Sequence, residues 1–229
     1  MNTLRFDYLL KQVAALAGLD TSNLPTTFFR QMREFAAIRL DYAWRTAAWP
    51  ECVSVINYTG FVNGTALNAN HAGVLWVADR DLNDDPTGDV LTHRLFNDKL
   101  YLDWPEDSIY VAGWTKPPEL VGEVYAASTT YASGDQVYSG GTFYNSAANN
   151  NLNNAPSDQT NNGDVWTPVN IPKIFQHYLV RGLFADYLRS KGEMEKALQA
   201  EAEAEATLDE ERNHLISRQG QSPQIAFTG

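Results

Sequence analysis

The stretch DRDLNDDPTGD places Asp79, Asp81 and Asn83 at alternate positions, as the first ligands of a calcium loop are placed. Asp84 then stands where the sharp-turn glycine belongs, and Val90 where the bidentate glutamate belongs, so the stretch reads as an acidic solvated loop. His71, His93, His177 and His214 show no metal-ligand spacing. There is no Gly-flanked serine nucleophile and no phosphate-cradling glycine loop. Asp103 and Glu106 could serve a glycosidase, but 28 acidic residues in 229 place such pairs together by chance. Since no nucleophile, base and orienting group can be named together, the expectation is no catalysis, no cofactor and no metal. The single Cys52 excludes an intramolecular disulfide framework and reads as a small buried residue. Trp44, Trp49, Trp76, Trp104 and Trp114 read as core.

Around these residues the chain alternates helix, strand, an unusual insert, and helix again. Thr3 is placed to cap a first helix with apolar positions Phe6, Leu9, Leu10, Val13, Leu16 and Ala17, and Gly18 stops it. A second helix begins after Pro25, near Thr26 or Thr27. Its stripe is Phe29, Met32, Ala36, Leu40, Ala43, Trp44 and Ala47, and Pro50 closes it. These two helices are expected to pair as an antiparallel hairpin. From Val53 the period becomes strand-like: VSVINYTGFVNGTAL surrounds an Asn63-Gly64 turn, AGVLWVAD is a short buried strand, and KLYLDWPEDSIYVAGW gives two strands joined by a Pro105 turn. Pro117 and Pro118 mark the end of this antiparallel β domain.

Residues 123–170 contain no Lys or Arg, and their apolar content is mostly aromatic. QVYSGGTFY is a hairpin turning at Gly140-Gly141, and NNNLNNAPSDQTNNGD is polar loop. The insert is expected to be self-contained, with Tyr131, Tyr144 and Trp166 as its core. After Pro172 comes a helix with Ile174, Tyr178, Leu179, Leu183, Phe184 and Tyr187 on one side and Gly182 allowing close approach. An Ala/Glu-rich helix with a thin stripe of Met194, Leu198, Ala202, Leu208 and Leu215 follows. The tail from Ser217 has no period and is expected to order on a partner. The fold class is therefore α+β: a helical frame (1–50 and 171–229), an antiparallel β domain (51–122) and an inserted β module (123–170).

Charge narrows the function. The net charge of −11 divides as +2 over residues 1–49, −7 over 50–122, −4 over 123–170 and −2 over 171–229. Such a chain lacks the basic surface whose counterion release drives sequence-independent DNA binding. No apolar run approaches the length of a membrane span, and Arg5, Asp7 and Lys11 interrupt the N-terminus where a signal peptide is apolar.

The frame resembles the head-to-tail adaptor, or connector, proteins of tailed bacteriophages. AWRTAAWPE closes the second helix, IYVAGWTKPPEL ends the β segment in an aromatic strand and a proline pair, and IPKIFQHYLVRGLFADYLRSKGEMEKALQAEAEAEATLDEE gives the Tyr-bearing helix and long Glu/Ala helix of that arrangement. The insert resembles the small chitin- and cellulose-binding modules of polysaccharide hydrolases through Tyr131, Gly134, Asp135, Val137, Gly141, Tyr144, Pro156 and Trp166. Where those modules carry exposed aromatic residues after the position of Tyr144, this chain has NSAANNNLNN, so the matched sugar platform is missing. Tyr125, Tyr138 and Phe143 remain as candidates for another platform, with Tyr138 and Phe143 named for glycan contact.

The adaptor resemblance implies a structural virion protein without enzymatic activity, made in the host cytoplasm and placed in the neck between portal and tail. Its partners would be the portal protein, tail or neck proteins, and itself in a ring of twelve copies, with DNA passing through unbound. The tail residues Arg218, Gln219, Gln221, Gln224, Ile225 and Phe227 would contact the portal or a neighbour. The alternative is a carbohydrate-binding accessory or virion decoration protein that contacts host-surface glycans.

Overall fold

A computed structural model describes residues 3–104, 106–156 and 165–219. The fold is α+β, and the chain divides into two compact units, Met1–Ala47 with Pro118–Gly229, and Ala48–Pro117. Among the described residues no helix is long and apolar enough to cross a membrane.

The first unit holds helices α1 (Phe6–Leu16), α2 (Thr26–Arg45), α3 (Gln176–Ser190) and α4 (Met194–Gln219). Helix α1 buries Phe6, Leu9, Leu10, Val13 and Ala14. Its C-terminus is a Schellman motif: Gly18, at φ 69°, donates its N–H to Ala15 O at 3.1 Å, and Leu19 donates to Ala14 O at 2.9 Å. The expected Thr3 cap is absent. Thr3 instead bonds Asn170 Oδ1 at 2.7 Å and bridges Pro172, because the chain there is drawn into an extended pairing with the segment ahead of α3. The expected α1–α2 hairpin is also replaced, since α1 and α2 each pack mainly on α3. Helix α2 ends five residues before Pro50, and Pro50–Cys52 forms a separate 3-10 turn in the second unit.

In the numbering of the whole chain, the second unit carries β1 (Val53–Thr59), β2 (Thr65–Ala66), β3 (His71–Ala78), β4 (His93–Phe96), β5 (Lys99–Leu102) and β6 (Ser108–Thr115). They form two three-stranded sheets, ordered β1-β6-β3 and β2-β5-β4, around Phe61, Val77, Leu100, Leu102, Ile109 and Val111. The strands expected to flank a Pro105 turn, β5 and β6, therefore lie in different sheets; Pro105 itself is outside the described residues. The hairpin partner of β5 is β4, across Asn97 and Asp98 at φ 50° and 54°, the left-handed pair that a tight two-residue turn requires.

The remaining strands, β7 (Glu123–Val124), β8 (Thr130–Tyr131), β9 (Gln136–Ser139), β10 (Thr142–Ser146), β11 (Asn151–Leu152) and β12 (Trp166–Pro168), belong to the first unit. The β9–β10 hairpin turns at Gly140 and Gly141, φ 55° and 93°, as its sequence requires. The stretch read as polar loop contains β11, which pairs with β8.

The insert is not self-contained. Phe143 and Tyr138 of the hairpin meet Phe6 of α1 at ring distances of 5.1 and 6.1 Å, and Tyr138 meets Phe29 of α2 at 4.7 Å. The Gly141 carbonyl accepts the N–H groups of Phe6 at 2.9 Å and Asp7 at 3.2 Å, and Arg5 donates to Gly140 O at 2.8 Å. The hairpin turn thus satisfies the orphan donors of α1 that Thr3 was expected to serve. Any Cβ at Gly141 would lie 2.6 Å from Asp7 Cγ and Arg5 Nη2, which explains the second glycine of the turn.

Candidate functional site

The most constrained polar cluster of the first unit joins three helices through Arg39. Arg39 projects from the buried face of α2 across Gly182 of α3, where a Cβ would lie 2.5 Å from Arg39 Nη1. Gly182 therefore makes room for a side chain, not for a helix backbone. Nε and Nη2 of Arg39 donate to the two Asp186 oxygens at 2.6 and 2.9 Å, and Nη1 and Nη2 donate to the two Glu201 oxygens at 3.0 and 2.6 Å. Arg189 closes the knot on Asp186 and Glu201 at 2.8 and 2.9 Å, and the Tyr178 ring lies 5.8 Å from Arg39 Cζ.

Burial works against the Arg39 charge, but its bonds to Asp186 and Glu201 more than offset this and raise its pKa. The same bonds, led by the one from Arg39, lower that of Glu201. Two cations against two carboxylates leave no charge for a ligand. The cluster is a clasp that fixes the rotation of α4 about its axis.

That rotation differs from the expected stripe. Leu208 faces inward as expected, but with Ala197, Ala200 and Ala204, while Met194 and Leu198 are 56% and 63% exposed. Alanine lets α4 lie close to α3, so the small residues are buried and the large ones remain outside. The helix extends through Arg218 and Gln219, which were expected to lie in an irregular tail. Gln221, Gln224, Ile225 and Phe227 lie outside the described residues.

The insert residues divide into two groups. Tyr131 meets Trp166 edge-on at 5.4 Å, and the buried Trp166 donates its indole N–H to Asn154 O at 2.8 Å. The third ring of this group is Tyr125, stacked on Tyr131 at 5.8 Å, whereas Tyr144 is half-buried on the β10 ladder between Val137 and Pro168. Tyr138 and Phe143, the candidates for glycan contact, have their faces against Phe6 and Phe29. Phe143 is 1% exposed, so its ring is not a sugar platform, and Tyr138 is half-buried with its ring 4.7 Å from that of Phe29.

A cleft of about 240 Å³ lies beside the insert, lined by Pro118, Glu119, Val121, Gly134, Gln136, Asn145 and Val169. It contains no aromatic ring. The Gln136 amide is fully engaged there: it accepts from Val121 N and Gly122 N and donates to Glu119 O and Asn145 Oδ1.

Neither a protein-family model nor a curated protein matches the chain.

In the second unit the acidic loop binds itself. Asp79 accepts the Asp89 N–H at 2.8 Å, Asp81 accepts that of Asn83 at 3.0 Å, and Asp85 accepts from Thr87 and from Arg80. The Asp85 carboxyl is lowered to about 2, first by the Thr87 hydroxyl and then by Arg80. Among the described residues no group of three or more His, Cys, Asp or Glu side chains is placed to hold a metal ion.

One pair escaped sequence reasoning. Ser54 Oγ lies 2.8 Å from His71 Nε2, with the imidazole laid over Gly113 of the central strand, where a Cβ would be 2.7 Å from Nδ1. His71 Nδ1 is buried without a hydrogen-bond partner, so the pair lacks the acid that orients a catalytic histidine. Burial chiefly lowers the His71 pKa and keeps the ring neutral. No motif joins residues 17 apart on opposite edge strands; the only sequence signal is the glycine between them.

Proposed function

We propose that the chain is a structural subunit that assembles on other protein chains, an adaptor ring subunit between the portal and tail of a tailed bacteriophage. The observation that carries this reading is α4. A part-buried four-charge clasp fixes the helix so that its alanines face inward, and its Met194, Leu198 and Ile216 are left exposed on a surface with no partner among the described residues. A helix fixed in this way near its start, with large apolar side chains on its open face, suits presentation to another chain, not chemistry within this one. The element order, two helices, a β unit closed by Pro117 and Pro118, and a helix pair, is the arrangement that the adaptor resemblance describes. The acidic β unit would flank the DNA path and repel phosphate. The glycan reading finds no support at Tyr138 and Phe143, which pack on the helices.

The test is negative-stain microscopy and sedimentation of the purified chain with and without its cognate portal protein. A ring of the chain is expected on the portal, with the isolated chain mainly monomeric. Ending the chain at Arg218 should abolish docking and leave the melting temperature unchanged. Docking of the shortened chain with unchanged affinity would remove the terminal segment from the contact, and no complex with full-length chain would overturn the adaptor reading.

A further inference from the structure

We propose that β1 is an open sheet edge that takes residues 224–228 of a neighbouring copy as an added strand. Strand β1 lies at one side of the β1-β6-β3 sheet and pairs with β6 over seven consecutive residues without a register shift. Among the described residues no backbone hydrogen bond reaches its outer edge. Proteins blunt such edges with charge, proline, bulges or short length. The opposite edge strand, β3, has two register shifts in its ladder, but the β1 sequence VSVINYT has no charge, no proline and no bulge. An edge left in this state is a template for strand addition, in which main-chain bonds supply affinity and alternate side chains supply specificity.

The occupant is argued from charge and pattern. Residues 219–229 contain no Asp, Glu, Lys or Arg, so the segment has no charged side chain, like β1, in a protein of net charge −11. Within it, Gln224-Ile-Ala-Phe-Thr228 alternates, and Pro223 stands where a proline is tolerated, ahead of a strand. On β1, Ile56 and Tyr58 stand opposite Val111 and Ile109 of the core, so Ile225 and Phe227 on the added strand would extend that apolar face. The ten residues after Gln219 reach about 33–36 Å when extended, enough to bridge to an adjacent subunit. Donor segment and acceptor edge are different surfaces, so the contact is head-to-tail and closes into a ring when the rotation allows. The inference rests on the ring reading for its supply of neighbouring copies, and it names the neighbour contact within that ring.

The receptor for the test is the full chain carrying Ile225→Ser and Phe227→Ser, which removes its own competing segment. The probe is a synthetic peptide of residues 219–229. Saturating peptide should slow amide exchange of Val53–Thr59 by about tenfold or more, and a peptide with serine at 225 and 227 should leave exchange unchanged. Adding Val55→Lys to the receptor should weaken binding by about tenfold while the circular dichroism spectrum is retained. If that variant misfolds, the exchange result on the unblocked receptor decides alone. Unchanged exchange across Val53–Thr59, or protection of another segment instead, overturns the proposal. Unchanged exchange together with intact portal docking of the full chain would overturn the strand pairing and leave the adaptor reading in place. Protection of β1 by the peptide without any portal complex would uphold the strand pairing and remove the adaptor reading.

Discussion

Arg39 donates four hydrogen bonds to two carboxylates from a largely buried position. Its side chain is 8% exposed, and its two carboxylate partners are 16% and 25% exposed. Removing Arg39 leaves two part-buried carboxylates sharing the single Arg189, so Arg39→Ala is expected to cost about 3 kcal/mol. Gly182→Ala attacks the same knot from below. Its Cβ would need to displace a guanidinium pinned by four hydrogen bonds, at a cost of about 1–3 kcal/mol. Urea denaturation measures both, and a loss under about 0.5 kcal/mol for Arg39→Ala would show that the knot is not structural.

His71 makes a second residue-scale prediction through pH. Its folded pKa lies below the ordinary value of about 6.5, so the unfolded chain takes up the proton first. The contribution is fully present above about pH 6.5 and is lost as pH falls from there through the lowered folded pKa. Glu201, lowered from 4.5, loses its contribution only at more acid pH, below its unfolded value. The β unit should therefore weaken as pH falls below about 6.5, and His71→Gln should flatten that slope. Thermal unfolding across pH 8 to 5 checks this, with a pH-independent wild-type transition as the contrary result.

At the scale of elements, the insert and α1 depend on each other. The Gly141 carbonyl caps α1, and Phe6 and Phe29 are covered by Tyr138 and Phe143. Replacing Val121–Asn170 by a short Gly/Ser linker should thus destabilise the helices as well as removing the insert, because two orphan N–H groups and an apolar face would return to water. A drop in the melting temperature of the helical signal is expected, and an unchanged one would show that the hairpin packing contributes nothing.

Elements whose signals are local were legible from sequence: the Gly18 stop, the Gly140-Gly141 hairpin, and the helical segments Thr26–Arg45 and Gln176–Ser190. What was not legible depends on distant partners. The cap of α1 is a carbonyl more than a hundred residues away, and the inward face of α4 was misread because its alanines carry little hydrophobic signal although their size decides the packing. Arg39 stands on an apolar helix face, and the residues that neutralise it are on α3 and α4. A buried arginine on that face, with a glycine on a later helix, is the trace such a clasp leaves in a sequence.

For the whole molecule, charge makes the decisive prediction. Of the four basic residues within 50–122, two are paired with acids: Arg80 with Asp79 and Asp85, and Arg94 with Asp103. Sequence-independent DNA binding requires cations free to displace counterions from phosphate. The β unit has the opposite balance, with Asp84, Asp98 and Asp107 exposed beside its paired acids. The chain should therefore leave duplex DNA unretarded in a gel even at low ionic strength, where any electrostatic affinity is largest. Asp84→Lys, Asp98→Lys and Asp107→Lys combined shift the unit by about six charges and should create weak binding that fades as salt is raised. Salt-sensitive retardation by the unmodified chain would mean that a basic surface is formed elsewhere in the molecule, and the reading of a wall that repels phosphate would fall.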